Sequence, residues 1–596
     1  MVSVLRSALC VLTVAFLAAC GAAERRDGLP PAATPTPAAT PTRTPTATPT
    51  PTPTATAPPA VVEGDLRALS LSEPVRQGGA PCGFVDTLDF PLDPPDAEAA
   101  SGGGDFGRFR DRYDGFHAGE DWRFGQSSFG QPVYGIAHGL VIYAQPLGWG
   151  ADKGVVIVEH TFHGGRRLLS FYGHLDPPSV VLRAGQCIER GDQVGAIGDP
   201  RSSPHLHFEV WVHLPDTPGP GYWPSDPRRA GWRPPSATIW YERMAALPGI
   251  RWALLHNEGF LPPLGVVDSS ALVSAGAGEL QALDMDDGSV RWSRSLPGTA
   301  DRLLLDPQSR LIYSASSEGT IEAFSTSALE RGDMEVPLWS LDTGEFGMPE
   351  LAPLPGGGLI VSTRSAMLGV SVQGEVLWRS APAQGIVDWA ESDASLVLLT
   401  RQGTWQIDKE QAAAWPTSIA GQKVIASDVP FLYAQDGLYR LDLERQSAEL
   451  LYALPWGFPR SGDVVELPGG GLLVAHSDPV DTRLIAIETE GSLRWERSVA
   501  SLGPRTVELM AVGGQAYAVM RLDRGNSTAI DVFHVQETDG RLTRVFSGGS
   551  RFASSDSMSL TVAGDTVLIS IADVGLFGWE PQLALEAVLV GLPPDG

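Results

Sequence analysis

Short strand-like runs of apolar residues recur through residues 62–245, and long helical periodicity is absent there. In the run HLHFEVWV, residues 205–212, Phe208 and Val210 fall on one side, because successive side chains of a strand point to opposite faces. The histidines His205 and His207 fall on the other side. Glycine-rich turns separate such runs. The pattern predicts a mainly all-β protein.

The length of the chain bounds the number of domains, and its net charge bears on the kind of partner. At 596 residues the chain is too long for one hydrophobic core, so two or more domains are expected. The formal net charge of −27 argues against nucleic acid as a partner, because a protein that binds phosphates needs a basic surface. A short helix is predicted over residues 238–247, after a stretch rich in proline and tryptophan.

The first 20 residues have the pattern of an export signal. Arg6 precedes an apolar run that is too short to cross a bilayer as a mature helix, and the run ends at Cys20. The sequence Leu-Ala-Ala-Cys at this point resembles the lipobox of bacterial lipoproteins, which implies cleavage before Cys20 and lipidation of its thiol. An ordinary signal cut after Cys20, or a short uncleaved anchor, remains an alternative. The lipoprotein interpretation places the protein in the cell envelope, on the extracytoplasmic side, held to the membrane through a lipid anchor only.

Residues 21–61 are dominated by proline, threonine and alanine. They cannot bury enough apolar surface to fold, and their prolines favour the extended polyproline II conformation. We therefore predict a disordered stalk here, with folding beginning at about residue 62.

A repeated phrase marks the second half of the chain. DGSVRW (287–292), QGEVLW (373–378) and EGSLRW (490–495) are variants of one another, and the period of about 40 to 50 residues is typical of four-stranded propeller blades. This spacing predicts a C-terminal β-propeller over residues 255–596, with about seven blades and eight also possible. The phrase resembles the PQQ-like (quinoprotein-like) propeller family, in which the glycine makes a hairpin turn and the tryptophan packs between blades. No cofactor constellation accompanies it, so a binding platform is favoured over a quinoprotein dehydrogenase.

The segment 62–245 contains eight of the eleven histidines and a distinctive order of polar residues: His117 and Asp121 in FHAGEDW, His174 in YGHL, and His205 and His207 in HLHFE. This order resembles that of the lysostaphin-type (LytM-like) zinc metalloendopeptidases, whose signature is H-x-x-x-D, then Y-x-H-L, then H-x-H. The resemblance extends over about residues 84–213 and implies an antiparallel β-sheet metallopeptidase domain.

The same resemblance implies a role for each of the five residues. His117, Asp121 and His207 would bind Zn²⁺ and leave a fourth position open for water. His174 and His205 would face the scissile carbonyl, one as general base and the other stabilising the tetrahedral intermediate, with their division of labour left open.

Two segments near these residues depart from the family pattern. The loop that leads into H-x-H, in GDPRSSPHLHFE, carries Pro200 and Arg201 where the family usually has glycine. Because this loop borders the cleft, the substrate that the resemblance implies is in doubt. The glycine-rich insert SGGGDFGRFRDRYDG, residues 101–115, is a candidate wall of the cleft.

Cys82 and Cys187 are the two cysteines beyond Cys20 in the sequence. An even number of cysteines in an exported protein favours a disulfide over two free thiols.

These features together predict an exported zinc endopeptidase that hydrolyses peptide bonds in peptidoglycan cross-links or bridges. Its propeller would dock the enzyme on the wall or on a protein partner. The alternative is a non-enzymatic scaffold or regulator of the cell envelope that binds the wall or other hydrolases. The retained set of metal ligands counts against this alternative.

Overall fold

The computed structural model of the chain describes residues 79–589 apart from short gaps. The gaps are 149–152, 201–202, 213–220, 256–262, 275–278, 297–300, 334–335, 383–384, 393–394, 409, 416–420, 426–428, 455–460, 478–480, 500–504, 524–526 and 552–557. The predicted signal peptide, the lipidation of Cys20 and the stalk 21–61 lie outside the described residues. Among the described helices, none is long and apolar enough to span a membrane.

The first folded region is built on an eight-stranded antiparallel sheet. Its strands run in the order Ser101–Gly102, Glu120–Arg123, Leu206–Trp211, Arg167–Gly173, Val155–Thr161, Gly139–Gln145 and Cys187–Ile188, and Trp232–Arg233 also pairs with Leu206–Trp211. Two small sheets flank it, formed by Gln193–Ala196 with Pro132–Tyr134, and by Tyr222–Trp223, Gly115–His117 and Phe109–Arg110. Short 3-10 turns occupy Gly125–Ser127, Pro177–Ser179 and Pro227–Ala230. Because Leu206–Trp211 is a central strand, both its faces are buried.

A helix at Pro235–Ala245 follows this sheet. It begins three residues before the predicted start, because proline is well tolerated in the first turn of a helix, where its missing N–H has no intrahelical partner. Trp240 and Met244 are buried on it.

The remaining described chain forms eight four-stranded antiparallel sheets, the blades of a β-propeller. The first four are Gly265–Val267, Ser270–Ser274, Glu279–Asp284 and Val290–Ser295; Arg302–Asp306, Leu311–Ala315, Thr320–Ser325 and Trp339–Asp342; Glu350–Pro353, Leu359–Ser362, Met367–Val370 and Val376–Ser380; and Ile386–Ser392, Ser395–Thr400, Gly403–Ile407 and Ala412–Ala414. The next three are Gly421–Ile425, Phe431–Ala434, Gly437–Asp442 and Ser447–Ala453; Ser461–Glu466, Leu472–Ser477, Thr482–Ile487 and Leu493–Val499; and Arg505–Val512, Gln515–Asp523, Thr528–Val535 and Leu542–Ser550. Helices occupy Thr326–Arg331 and Pro581–Leu589.

The eighth blade combines the two ends of the propeller. Met558–Ala563, Thr566–Ile571 and Gly575–Trp579 come from the end of the chain, and Ile250–Leu255 supplies the fourth strand by pairing with Gly575–Trp579. The sequence repeat predicted about seven blades with eight possible, and the described sheets number eight. The repeated sequence does not predict this closing strand, because Ile250–Leu255 lies before the first copy of the repeat at residues 287–292.

A tryptophan from one blade covers the glycine turn of the next. Trp252 Nε1 donates to the carbonyl oxygen of Met285 at 2.8 Å, and its indole lies against Gly288, which has a φ of +69°. A Cβ on this glycine would come within 2.7 Å of the indole, so the turn needs glycine for both its conformation and its contact. Two further tryptophans make the same contacts, Trp339 with Val372 and Gly374, and Trp495 with Glu537 and Gly540. Trp495, the tryptophan of the repeated phrase EGSLRW, therefore packs between blades as expected.

One continuous hydrophobic core joins the first folded region to the last blades. The helix Pro235–Ala245 lies at the junction, where the Trp240 ring meets Phe90 edge-on at 5.9 Å and the Tyr241 ring lies 5.8 Å from Phe577. The helix therefore packs on both regions at once.

Candidate metal centre

Three short strands bring His117, Asp121 and His207 together. Glu120–Arg123 and Leu206–Trp211 are neighbours in the main sheet, and their register places His207 directly opposite Asp121. His117 ends the strand Gly115–His117, and the corner at residues 118 and 119 turns the chain back into Glu120–Arg123. The four-residue spacing of H-x-x-x-D thus spans two strands.

The ligand atoms of these three residues converge. His117 Nε2 lies 3.2 Å from His207 Nδ1, which lies 3.1 Å from Asp121 Oδ1, and the third distance, from His117 Nε2 to Asp121 Oδ1, is 3.4 Å. Ligands at about 2.0–2.1 Å from a tetrahedral zinc ion are about 3.3 Å from one another. The spacing and the two-nitrogen, one-oxygen donor set therefore fit a single zinc ion.

The carboxylates of Glu209 and Asp105 contact the ring nitrogens of His207 and His117 that are turned away from the shared ligand position. Glu209 Oε1 lies 2.7 Å from His207 Nε2, and Asp105 Oδ2 lies 3.2 Å from His117 Nδ1. Metal-binding histidines commonly use their second ring nitrogen in this way, which fixes the orientation of the ring. Neither carboxylate was predicted from the sequence. Glu209 could have been predicted as a partner of His207, because it lies two residues further on the same face of the strand. Asp105 lies in the glycine-rich insert, where no sequence pattern indicates its contact with His117.

The charges of the centre are strongly coupled. Burial raises the pKa of Asp121, but the His117, His205 and His207 imidazoles around its carboxylate outweigh it and hold that pKa far below its usual range. For His207, burial lowers the pKa, but the Asp121 and Glu209 carboxylates outweigh it and raise the pKa well above its usual value. Asp121 is thus held in its ionised form, which is the form of a carboxylate that binds a cation.

His174 and His205 lie beside this group. The two rings meet edge-on with their centroids 4.8 Å apart, and the His174 ring is 5.7 Å from that of His207. His205 Nδ1 donates to the carbonyl oxygen of Ser203 at 2.7 Å, and Nε2 faces Asp121 Oδ1 at 3.4 Å. His174 follows the strand Arg167–Gly173 with a φ of +59°. All five predicted residues are therefore brought into one site.

Burial and the neighbouring imidazoles lower the pKa of His174 to about 3. The ring is consequently neutral at physiological pH, and it is able to donate or accept a hydrogen bond without bringing a second positive charge to the site.

The glycine-rich insert lies against the centre. Its residue Tyr113 stacks on Tyr222 at 4.1 Å, and the Tyr222 ring lies 5.1 Å from that of His117. Phe109 and Tyr113 are exposed there. The insert therefore borders the site on the His117 side. In the other departing segment, GDPRSSP, residues 201–202 lie outside the described residues.

Cys82 and Cys187 form a disulfide bond, as the cysteine count predicted. It ties the chain before the main sheet to the edge strand Cys187–Ile188.

Two family models match parts of the chain. The model of peptidase family M23 matches residues 115–218, and the model described as outer membrane protein assembly factor BamB matches residues 232–384. No curated protein sequence matches the chain.

Several solved structures are similar in fold to about half of the chain. BamB from Moraxella catarrhalis is 12% identical with a TM-score of 0.40, covering 55% of this chain and 99% of that one. Sqt1 from Saccharomyces cerevisiae is 9% identical with a TM-score of 0.41, covering 56% and 99%. AztD from Citrobacter koseri is 14% identical with a TM-score of 0.35, covering 47% and 85%. The segment that matches the model of peptidase family M23 contains all five residues of the site, and the segment that matches the BamB model includes the first blades of the propeller.

Proposed function

We propose that this protein is an exported zinc-dependent endopeptidase that hydrolyses peptide bonds in peptidoglycan cross-links or bridges. The convergence of His117, Asp121 and His207 within the segment that matches peptidase family M23 carries the proposal. The donor set suits zinc, and the histidines have supporting carboxylates.

His117 Nε2, Asp121 Oδ1 and His207 Nδ1 would hold the ion. When bound, zinc supplies a Lewis acid that polarises a carbonyl and brings the pKa of water toward neutrality. Asp105 and Glu209 keep the two imidazoles turned toward the shared point.

His205 and His174 would carry the proton chemistry. The Ser203 carbonyl accepts the proton of His205 Nδ1, so the neutral ring has its lone pair on Nε2, on the side of Asp121. This tautomer supports His205 as the proton acceptor. His174, held neutral by its surroundings, would donate a hydrogen bond to the negative oxygen that develops on the scissile carbonyl.

The rest of the chain supports a place in the cell envelope. The lipobox ending at Cys20 would anchor the protein through lipid, and the stalk 21–61 would carry the enzyme away from the membrane toward the wall. The propeller would dock on the wall or on a partner protein, in keeping with the assembly-factor description of the family model that matches its first repeats.

The test is mass spectrometry of purified peptidoglycan fragments after incubation with the zinc-loaded protein. We expect new peptide ends that disappear with a chelator, return with added zinc and are absent for His207→Ala. His163→Ala is the matched control, since His163 stacks on Phe84 away from the site. Intact fragments from folded, zinc-loaded protein would contradict the proposal and favour the scaffold alternative.

A further inference from the structure

A propeller arginine reaches into the peptidase region. Arg551 follows the last strand of the seventh blade, Leu542–Ser550, and is only 7% exposed. Its Nη1 donates to the carbonyl oxygen of Ala97 at 2.9 Å, and Nη2 donates to that of Ala100. Nε lies 3.5 Å from the carbonyl oxygen of Gly102. The guanidinium thus holds three carbonyl groups of one short segment.

The same guanidinium covers an aromatic ring of the metal-bearing strand. It lies 4.2 Å over the ring of Trp122, next to Asp121. Burying a charged guanidinium carries a large desolvation cost, which the carbonyl groups and the aromatic face offset here. Arginine suits this position, because its planar fork offers five N–H donors in fixed directions, whereas lysine offers a single ammonium.

The segment that Arg551 holds leads directly to the metal centre. We call residues 97–105 the linking segment. Gly102 pairs with Trp122 in the main sheet, and the Gly103 amide donates to the carbonyl oxygen of Asp121 at 2.8 Å. Gly102 has a φ of +100°, and a Cβ there would lie 2.3 Å from that same oxygen, so the close approach requires glycine. The path of the segment is therefore narrowly defined.

The linking segment ends at a carboxylate that touches two of the metal-binding residues. Asp105 Oδ2 lies 3.2 Å from His117 Nδ1, and Oδ1 accepts the backbone N–H of Asp121 at 3.3 Å. Asp105 thus contacts both the His117 ring and the Asp121 backbone, and its Oδ2 also accepts a hydrogen bond from Arg110 at 3.0 Å within the insert.

We propose that Arg551, a residue of the propeller, is a positioning residue of the peptidase metal centre: it fixes the linking segment and thereby the Asp105 carboxylate that orients His117. The inference rests on the proposed function. It gives the propeller a second task besides docking, because the peptidase centre is completed by a blade.

The experiment measures zinc affinity of the full-length protein by competition with a chromophoric chelator, and the visible spectrum of the cobalt-substituted protein. Loss of a supporting carboxylate typically weakens metal binding 10- to 100-fold, and we expect a loss of this size for Asp105→Ala. Arg551→Met should weaken binding by about tenfold and alter the cobalt spectrum, and Arg551→Lys should recover part of the loss. The double variant should bind no more weakly than Asp105→Ala alone, because both changes act through one contact.

Arg521→Met is the matched control. Arg521 is a largely buried arginine of the same blade, where it pairs with Glu508 at 2.9 Å. Wild-type zinc affinity for this variant, beside weakened affinity for Arg551→Met, would support the proposal. Equal weakening in both, wild-type affinity in Arg551→Met, or additive losses in the double variant would overturn it. Should Arg551→Met fail to fold, Arg551→Lys and Arg551→Gln take its place in the same comparison.

Hydrogen exchange of the metal-free proteins separates this inference from the proposed function. Arg551→Met should speed exchange of the Gly103 and Asp121 amides, whose bonds depend on the linking segment, relative to Arg521→Met. Unchanged exchange would overturn the positioning role. A wild-type protein that takes up no zinc would contradict the proposed function instead, while exchange still decides the role of Arg551.

Discussion

His207 and Glu209, two residues apart on one face of the same strand, meet through Nε2 and Oε1 at 2.7 Å. The other carboxylate oxygen of Glu209 accepts the indole N–H groups of Trp211 and Trp232, the latter at 2.6 Å. The glutamate is thus held on two sides and in turn holds the imidazole, with His207 Nδ1 directed at Asp121.

We therefore expect Glu209→Gln to weaken zinc binding about 10- to 100-fold, since the amide lacks the charge that aligns and polarises the ring. Chelator competition measures the change. Glu189→Gln, on the exposed surface, serves as the control. Equal affinity in wild type and Glu209→Gln would show that the hydrogen bond does not support the metal.

The two histidines outside the ligand set should separate catalysis from metal binding. His174→Ala and His205→Ala are expected to retain zinc while losing peptide cleavage by about 10²-fold or more, because each removes one proton-transfer or hydrogen-bonding group. His207→Ala should lose both. Zinc content by elemental analysis, measured beside cleavage of fragments, checks this. Loss of zinc from His205→Ala would instead make His205 a ligand.

His160 should make the first folded region sensitive to acid. It is fully buried between the His138 carbonyl and the Ser170 hydroxyl, both at 2.8 Å, and burial lowers its pKa to about 4 from 6.5. The unfolded chain then binds the proton at higher pH than the folded protein does. Stability is therefore lost as the pH falls from about 6.5 toward 4, by about 3 kcal/mol in total.

His160→Gln keeps a donor and an acceptor but does not titrate, so its thermal midpoint should fall less than that of wild type between pH 7.5 and pH 4.5. Scanning calorimetry of both metal-free proteins checks this. Equal falls would show that other groups cause the acid sensitivity.

The disulfide should contribute substantially to stability. Cys82 and Cys187 are 105 residues apart in the chain, and in the chain-entropy model a loop of this size stabilises by up to about 5 kcal/mol. Cys187 is exposed, so reductants reach the bond. We expect reductant to lower the urea midpoint of wild type and to leave the Cys82→Ser/Cys187→Ser variant unchanged. A wild-type midpoint unaffected by complete reduction would contradict the prediction.

Two glycines offer a matched test of blade packing. Gly288 (φ +69°) lies under Trp252, whereas a Cβ on Gly344 (φ +72°) would have no neighbouring atom of the described residues within 4 Å. An alanine costs about 1–3 kcal/mol at either left-handed position, and overpacking against the indole adds about 1–3 kcal/mol at Gly288 alone. The thermal midpoint of Gly288→Ala should therefore be the lower of the two. Equal midpoints would mean that the tryptophan moves aside at little cost.

Much of the fold could be predicted from local pattern. The alternation around Phe208 and the repeated glycine–tryptophan phrase are local signals, and both correspond to observed strands and turns. The closing strand Ile250–Leu255 was not predicted, because its partner lies more than 300 residues later and no periodicity marks the pairing.

The site residues likewise fall into those that local sequence motifs predict and those that they do not. His117, Asp121 and His207 were found through the order of their motifs, and the register between neighbouring strands brings them together. Asp105 and Arg551 are joined to the site by contacts between distant segments, which composition and spacing do not record.

The shared last blade also bears on how such a chain is made and inherited. The strand at Ile250–Leu255 leaves the ribosome early, yet its partner at Gly575–Trp579 is among the last segments translated. A nonsense codon late in the gene would leave the ring open and uncover the helix Pro235–Ala245. Recombination between residues 245 and 250 would separate two halves that complete each other. The first folded region and the propeller are therefore built to be made together, because the strand that follows the first region closes the last blade.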